Sequence, residues 1–138
     1  MQFFSELFLL MTILFIFYRI IYGFYSDYKN EHNELIQKLK QDLIYLSPVA
    51  KNIIIYEGDQ SYTYNKQKIY LCLYKKNGEQ YPYDSLIYVA IHELAHVLCD
   101  ETGHTEKFWR INNELIEKAK EKGIYHGSSI TRDYCPLY

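Results

Sequence analysis

Two histidines and a glutamate at a characteristic spacing are the residues of this chain best suited to chemistry. They form the motif His92-Glu93-Leu94-Ala95-His96, and on a helix its two histidines would lie one turn apart on the same face. His92 and His96 could then present two imidazole nitrogens to one metal ion. The Glu93 carboxylate could reach a water on that ion without binding the ion itself. This is the arrangement of zinc hydrolases, with two histidine ligands and a glutamate as general base.

The same motif also has a purely structural interpretation, as a buried helix with two hydrogen-bonded histidines and an ion-paired glutamate. The surrounding residues favour a metal site instead. Leu94, Ala95 and the apolar residues 86–91 predict a helix that crosses the core. A buried Glu93 without a cation would be costly, and a bound metal would remove that cost. We therefore expect Zn²⁺ as the cofactor.

A catalytic zinc usually takes a third protein ligand, and two residues compete for that role. His104 follows His96 after seven residues, and Gly103 before it can adopt the positive φ of a tight return toward the metal. Glu114 is the alternative, in the position where gluzincins supply a glutamate from the next helix. The sequence favours His104, because Glu114 stands in a charged stretch typical of a solvated helix face. Asp100 and Glu101 follow His96 too closely to turn back easily.

Composition excludes several classes of protein. The 138 residues suffice for one soluble domain, and the formal net charge is −2. No basic run exceeds Lys75-Lys76, so we expect no nucleic-acid partner. The cysteines Cys72, Cys99 and Cys135 are odd in number and far apart. That spacing predicts free thiols, which suit a reducing compartment, and not a disulfide framework.

The N-terminal residues predict a membrane anchor over residues 1–25. An uncharged apolar run from Leu7 to Tyr18 continues past Arg19 as far as Tyr25, which is long enough to span a bilayer. A cleaved signal peptide is the main alternative, but the segment before the run carries no Lys or Arg and no small-residue cleavage site follows it. Arg19 and Lys29 flank the C-terminal side, so the positive-inside rule predicts a single-pass protein whose domain, residues 26–138, is cytoplasmic.

The remaining residues predict an α+β domain. After a polar connector over residues 26–30, the pattern predicts one helix, two or three strands, the motif helix from Asp84 or Ser85 to about Cys99, and a last helix that Thr105 caps. The first helix is expected over residues 31–46 and the strands over residues 53–56, 62–64 and 69–74. This order resembles the minimal zincin scaffold, in which a small twisted sheet packs on the motif helix and a second helix completes the core. The resemblance implies an edge strand beside the metal that could receive an extended peptide, and residues 69–74 are the best candidate for it.

A closer resemblance lies in His-Glu-Leu-Ala-His followed by Gly-His-Thr-Glu-Lys-Phe-Trp, over roughly residues 88–115. These residues look like the SprT and WLM group of zinc metallopeptidases, and they are similar also to small metallopeptidases of large DNA viruses. The resemblance implies His92, His96 and His104 as ligands and Glu93 as the base. It also implies that Phe108 and Trp109 are core residues behind the site. The chain departs from those families in having no cysteine-rich zinc ribbon and no basic tail, and without a Met-turn it is not a metzincin.

The predicted activity is hydrolysis of peptide bonds in a protein or peptide substrate. Glu93 would take a proton from the attacking water and pass it to the leaving amine, while zinc polarises the scissile carbonyl. Tyr125 and His126 could assist as electrophiles, although both are also explained as ordinary loop residues.

The main alternative is a membrane-anchored zinc-binding interaction module without catalysis. Such a closed site would need a fourth ligand, which Cys99, Asp100 or Glu106 could supply. A small-molecule hydrolase is a further alternative.

Overall fold

The computed structural model describes residues 1–128 and 130–135, which form two compact units. The first unit is Met1–Asn33 and the second begins at Glu34. Beyond the N-terminal helix, the second unit contains three α-helices, one short 3₁₀ helix and a three-stranded sheet within the described residues. The predicted α+β class is confirmed at this level.

The first unit is the single helix α1, Gln2–Glu31. None of its residues is buried, and it is long and apolar enough to cross a membrane. The sequence analysis placed a polar connector at residues 26–30, but these residues continue the helix. They contain no proline or glycine, so nothing in them stops helix propagation. The break lies instead at His32 and Asn33, before the second unit.

The sheet has the strand order β1-β3-β2, with β1 at Ile54–Glu57, β2 at Tyr62–Tyr64 and β3 at Lys68–Leu71. Strand β3 pairs in parallel with β1 and antiparallel with β2. The prediction that residues 69–74 form the edge strand is therefore wrong, because β3 lies in the middle of the sheet. Its residues Ile69 and Leu71 are fully buried, as expected for a central strand.

Three helices surround the sheet and supply most of the core. Helix α3, Tyr83–Leu98, packs against β2, β3 and the flanking helices α2, Glu34–Leu46, and α4, Glu106–Glu121. The apolar stripe predicted for α2 is buried, at Ile36, Leu39, Leu43 and Leu46. Ten residues of α3 are buried, including His92 and Glu93, so the motif helix does cross the core.

The ends of these helices follow local capping rules, with one difference from prediction. Thr105 caps α4 as predicted, and its Oγ1 accepts a hydrogen bond from the Phe108 N–H at 3.3 Å. Asp84 is not the cap of α3, because the helix already begins at Tyr83, after Pro82. The Asp84 carboxylate instead accepts hydrogen bonds from the N–H groups of His126 and Ser128, both at 2.9 Å.

A disulfide joins Cys72, just after β3, to Cys135 in the C-terminal segment. The prediction of free thiols is therefore wrong for these two residues and holds only for the buried Cys99. Their separation of 63 residues hid the pairing, which the fold creates by bringing the two Cα atoms to 6.4 Å. Beside the disulfide, the Tyr134 hydroxyl donates to the Cys72 carbonyl at 2.9 Å and lies 3.0 Å from the Ser61 Oγ.

Candidate metal centre

Three histidine nitrogens converge at one end of α3. The His104 Nε2 lies 3.0 Å from the His92 Nε2 and 3.1 Å from the His96 Nε2. All three side chains offer ligand atoms within 4.8 Å of one another, which is the geometry that a single metal ion requires. Among the described residues, no Cys, Asp or Glu joins this group. The donor set therefore fits a zinc ion with three protein ligands and a further position open to water or substrate.

The local chain explains how each histidine reaches this point. His92 and His96 are one turn apart on α3, and the loop after that helix returns His104 to them. Gly103 makes this return with φ at +83°, a left-handed conformation that is strained for residues with a Cβ. Thr105 then starts α4 immediately after the third histidine, so a helix cap holds the end of the loop.

The Phe108 side chain packs against all three imidazole rings. Phe108 is fully buried, and its ring centroid lies 4.3 Å from that of His96 and 4.9 Å from those of His92 and His104. The prediction that Trp109 is also a core residue is wrong, since its side chain is 42% exposed. Successive residues on a helix point about 100° apart, so the Trp109 side chain is turned away from the direction of Phe108. Trp109 still borders the site, 5.6 Å from the His104 ring.

Glu93 is the buried carboxylate of the site, with 3% of its surface exposed. Burial raises its pKa from the usual 4.5 to about 7, and a hydrogen bond from Thr63 opposes that rise. The Thr63 Oγ1 lies 2.7 Å from the Glu93 Oε2 and 3.0 Å from the Glu93 carbonyl oxygen. A carboxyl whose pKa lies near neutrality suits a group that takes up a proton and releases it again.

His92 and His96 are biased toward the neutral form that binds metals. Burial, together with smaller contributions from the nearby His96 and His104, lowers the pKa of His92 to about 4. Burial likewise lowers the pKa of His96, with smaller contributions from His104 and Lys66. Because a metal competes with protons for these nitrogens, lowered pKa values leave them available at neutral pH.

A cavity of about 640 Å³ opens over the three histidines and Glu93. Strand β2 and the turn after it form one wall, and the loop before α4 forms the other. The lining residues besides the histidines and Glu93 are Ser61, Tyr62, Thr63, Asn65, Lys66, Glu101, Thr102 and Gly103. The candidate ligands therefore face a space large enough for a substrate side chain and backbone.

The other candidates from the sequence lie away from the three histidines or have other partners. Glu114 is exposed on α4, where it lines a separate surface depression with Arg110 and Lys118. Asp100 forms an ion pair with Lys107 at 2.6 Å, whereas Glu101 borders the cavity without joining the group of ligand atoms.

The two suggested electrophiles are not at the cavity. The Tyr125 hydroxyl donates to the Ser128 carbonyl at 3.0 Å. The imidazole of His126 pairs with Asp84, in the first turn of α3, at 3.1 Å. Asp84 lies two turns before His92, so this pairing keeps His126 at the opposite end of the helix from the histidine group.

Sequence reasoning missed two polar residues that border the site. Thr63 contacts Glu93 from a strand 30 residues away, and Lys66 donates a hydrogen bond to the Cys99 carbonyl beside His96. Lys66 and Asn65 have φ values of +53° and +50° in the turn between β2 and β3. Neither residue belongs to a motif, and positive φ at residues other than glycine is uncommon, so the sequence contained no clear signal for this turn.

We expect Thr63→Val to destabilise the metal-free protein in a pH-dependent way. Valine keeps the shape of threonine but removes the hydrogen bond to Glu93, and an unsatisfied buried carboxylate costs about 1–3 kcal/mol. The bond stabilises the ionised carboxylate, whose pKa is raised to about 7 by burial. The loss should therefore be full at pH 8 and small at pH 5, where the carboxyl is protonated.

Urea unfolding of the parent and the variant at the two pH values measures this difference. Thr63→Ser is the matched control, because it keeps the hydroxyl and should retain most of the stability at pH 8. Equal destabilisation by valine at both pH values would show that Thr63 acts through packing alone.

Comparisons with known proteins place the chain beside proteins of large DNA viruses. It is 46% identical over 92 residues to Uncharacterized protein 136R of Invertebrate iridescent virus 6, covering 64% of this chain and 52% of that protein. It is 40% identical over 92 residues to Uncharacterized protein 042R of Invertebrate iridescent virus 3, covering 64% and 57%. It is 34% identical over 122 residues to Uncharacterized protein R325 of Acanthamoeba polyphaga mimivirus, covering 81% and 62%.

The chain thus spans between about half and three fifths of the length of these relatives. No protein-family model and no solved structure matches it. The similarity to proteins of large DNA viruses is confirmed, whereas the resemblance to the SprT and WLM metallopeptidases stays a prediction.

Proposed function

We propose that this protein is a zinc metallopeptidase of zincin type that α1 tethers to a membrane. The observation that supports the proposal best is the convergence of His92, His96 and His104 beside the buried Glu93, at the floor of an open cavity. A histidine cluster, a buried glutamate and an open cavity can each occur for structural reasons alone. Together they supply the metal ligands, the general base and the substrate space that metal-assisted hydrolysis needs.

The residues of the site have distinct roles in this proposal. His92, His96 and His104 hold the ion, and Phe108 fixes the planes of their rings from behind. A bound zinc ion would polarise the scissile carbonyl and lower the pKa of a water molecule beside it. Glu93 accepts the proton of the attacking water and delivers it to the leaving amine, and Thr63 orients the Glu93 carboxylate for both transfers.

Two observations favour catalysis over the alternative of a zinc-binding interaction module. A closed structural site would need a fourth protein ligand, and none of the described candidates joins the three histidines. Cys99 is buried at the C-terminal end of α3, and Asp100 is paired with Lys107. The raised pKa of Glu93 also has a use in proton transfer and none in a structural zinc site. A small-molecule hydrolase would use the same residues, and no described feature favours one.

Cleavage of an unfolded protein by the full-length chain in detergent tests the proposal. We expect degradation of reduced, carboxymethylated casein that stops when a chelator removes the zinc and returns when zinc is restored. His126→Ala is the control for a histidine outside the site, and it should cleave as the parent does, whereas His96→Ala should not. Cleavage that persists in protein shown to be free of metal would contradict the proposal.

A further inference from the structure

Strand β2 presents two different faces at the border of the cavity. Its central residue Thr63 points inward to Glu93. Tyr62 and Tyr64, on either side, point outward and are 45% and 54% exposed. β2 is also the outermost strand on this side of the sheet, and no other strand lies beyond it among the described residues.

The outward face of the sheet is a ladder of stacked tyrosines. The ring of Tyr70 on β3 lies between those of Tyr62 and Tyr56, at centroid distances of 4.7 and 5.2 Å and interplanar angles of 12° and 20°. This stacking holds the Tyr62 ring in place on an exposed surface. A preorganised aromatic ring binds a partner at a lower entropic cost than a mobile one.

Tyr62 belongs to both the ladder and the cavity wall. A ligand that enters the cavity and extends along β2 must therefore pass its ring. Tyr62 and Tyr64 are two residues apart on one strand, so their rings follow the repeat of about 6.6 Å that side chains on one face of any extended chain share. An extended polypeptide beside β2 would match this spacing, and the proposed peptidase function supplies such a polypeptide as the substrate.

We propose that Tyr62 and Tyr64 set a sequence preference, by selecting aromatic or large apolar residues at two substrate positions separated by one residue when an extended substrate adds to β2 in the way that the zincin resemblance implies. This inference rests on the proposed peptidase function and adds a sequence preference to it. Side chains directly opposite each other on one face of a strand pair lie about 4.5–5.5 Å apart at Cβ, which brings the substrate residues onto the tyrosine rings. The intervening residue faces inward, toward Thr63 and the cavity.

Binding of labelled peptides to the full-length Glu93→Gln variant, zinc-loaded and in detergent, tests the inference without turnover. Two peptides of identical composition carry two phenylalanines, at alternate positions in one and at adjacent positions in the other. Each aromatic contact is worth between about twofold and tenfold in affinity. The alternating peptide can make one such contact more than the adjacent peptide, so we expect it to bind between about twofold and tenfold more tightly. Tyr62→Ser and Tyr64→Ser, each made in the Glu93→Gln background, should each abolish that preference, because either peptide can place one phenylalanine on the tyrosine that remains. The double variant should show no preference and should bind both peptides more weakly.

Tyr45→Ser in the same background is the matched control, because Tyr45 is 57% exposed on α2, away from the cavity lining. It should keep the full preference. Tyr64→Ser tests the preference without disturbing the stacked rings, because Tyr64 is not part of the ladder of Tyr56, Tyr70 and Tyr62. An effect of this variant would therefore not be due to loss of that stacking. Unchanged zinc content would verify the fold of each variant.

Equal binding of the two peptides, or a preference that survives in the double variant, would overturn the inference. A different result would show that the proposed peptidase function fails while the inference about the tyrosines holds. The binding preference for the alternating peptide would then depend on Tyr62 and Tyr64, but the parent protein would cleave neither that peptide nor casein.

Discussion

The full-length protein purified in detergent is expected to contain about one zinc ion per chain, and His104→Ala is expected to lose it. The His104 Nε2 lies within 3.1 Å of both other histidine nitrogens, so its removal leaves a two-ligand site. Loss of a residue that merely supports a ligand costs about 10- to 100-fold in metal affinity, and loss of the ligand itself should cost at least about 100-fold. Elemental analysis after exhaustive dialysis measures the effect.

Glu114→Ala is the matched comparison for the third ligand. Because Glu114 lies in a separate depression on α4, its variant should keep the full zinc content. Zinc lost with Glu114→Ala and kept with His104→Ala would instead move the protein to the gluzincin arrangement. A folded parent protein that contains no zinc would show that the histidine motif has only a structural role.

Glu93→Gln is expected to abolish peptide hydrolysis while zinc content stays at the parental level. General acid–base groups contribute about 100- to 10 000-fold to rate, so activity should fall by at least about 100-fold. Glutamine has nearly the same shape and can still accept the Thr63 hydrogen bond, which preserves the local structure. Glu101→Gln removes a carboxylate from the rim of the same cavity and should leave activity close to that of the parent.

The same substitution should also stabilise the metal-free protein above neutral pH. Burial raises the Glu93 pKa from 4.5 to about 7, so the folded state loses stability as the pH rises from about 4.5 to about 7. A shift of this size corresponds to roughly 3 kcal/mol, which the neutral glutamine would recover at pH 8 but not at pH 4. Thermal unfolding at both pH values provides the measurement. Full activity in Glu93→Gln would refute the assigned mechanism whatever its stability.

Local patterns in the sequence were sufficient for most of the helices and for β2. The apolar stripe of α2 and the Thr105 cap depend on residues within a few positions of each other, and the structure confirms both. The bounds predicted for β2 match those observed, Tyr62–Tyr64. The order of the strands depends on pairing between distant segments, and local periodicity contains no information about it.

The same distinction applies to the candidate site. The spacing of His92, His96 and His104 suggested a group that the structure brings together, because two of them share a helix and the third follows a glycine turn. Thr63 and Lys66 reach the site from another part of the chain, and no pattern in the sequence relates them to α3. Trp109 shows a further limit, since the sequence did not indicate which of the two neighbouring aromatic residues on α4 is buried.

The bond between Cys72 and Cys135 bears on the orientation that the proposed membrane anchor would give the second unit. Disulfides persist in the endoplasmic reticulum lumen and outside the cell, whereas glutathione keeps cytosolic thiols reduced. The charges of Arg19 and Lys29 predict a cytosolic domain, whereas the disulfide predicts a lumenal or extracellular one. The two features therefore predict opposite orientations of the second unit. A bonded pair in protein trapped directly from cells would place the histidine cluster on the lumenal or outer face. Its substrates would then be found among secreted and lumenal proteins.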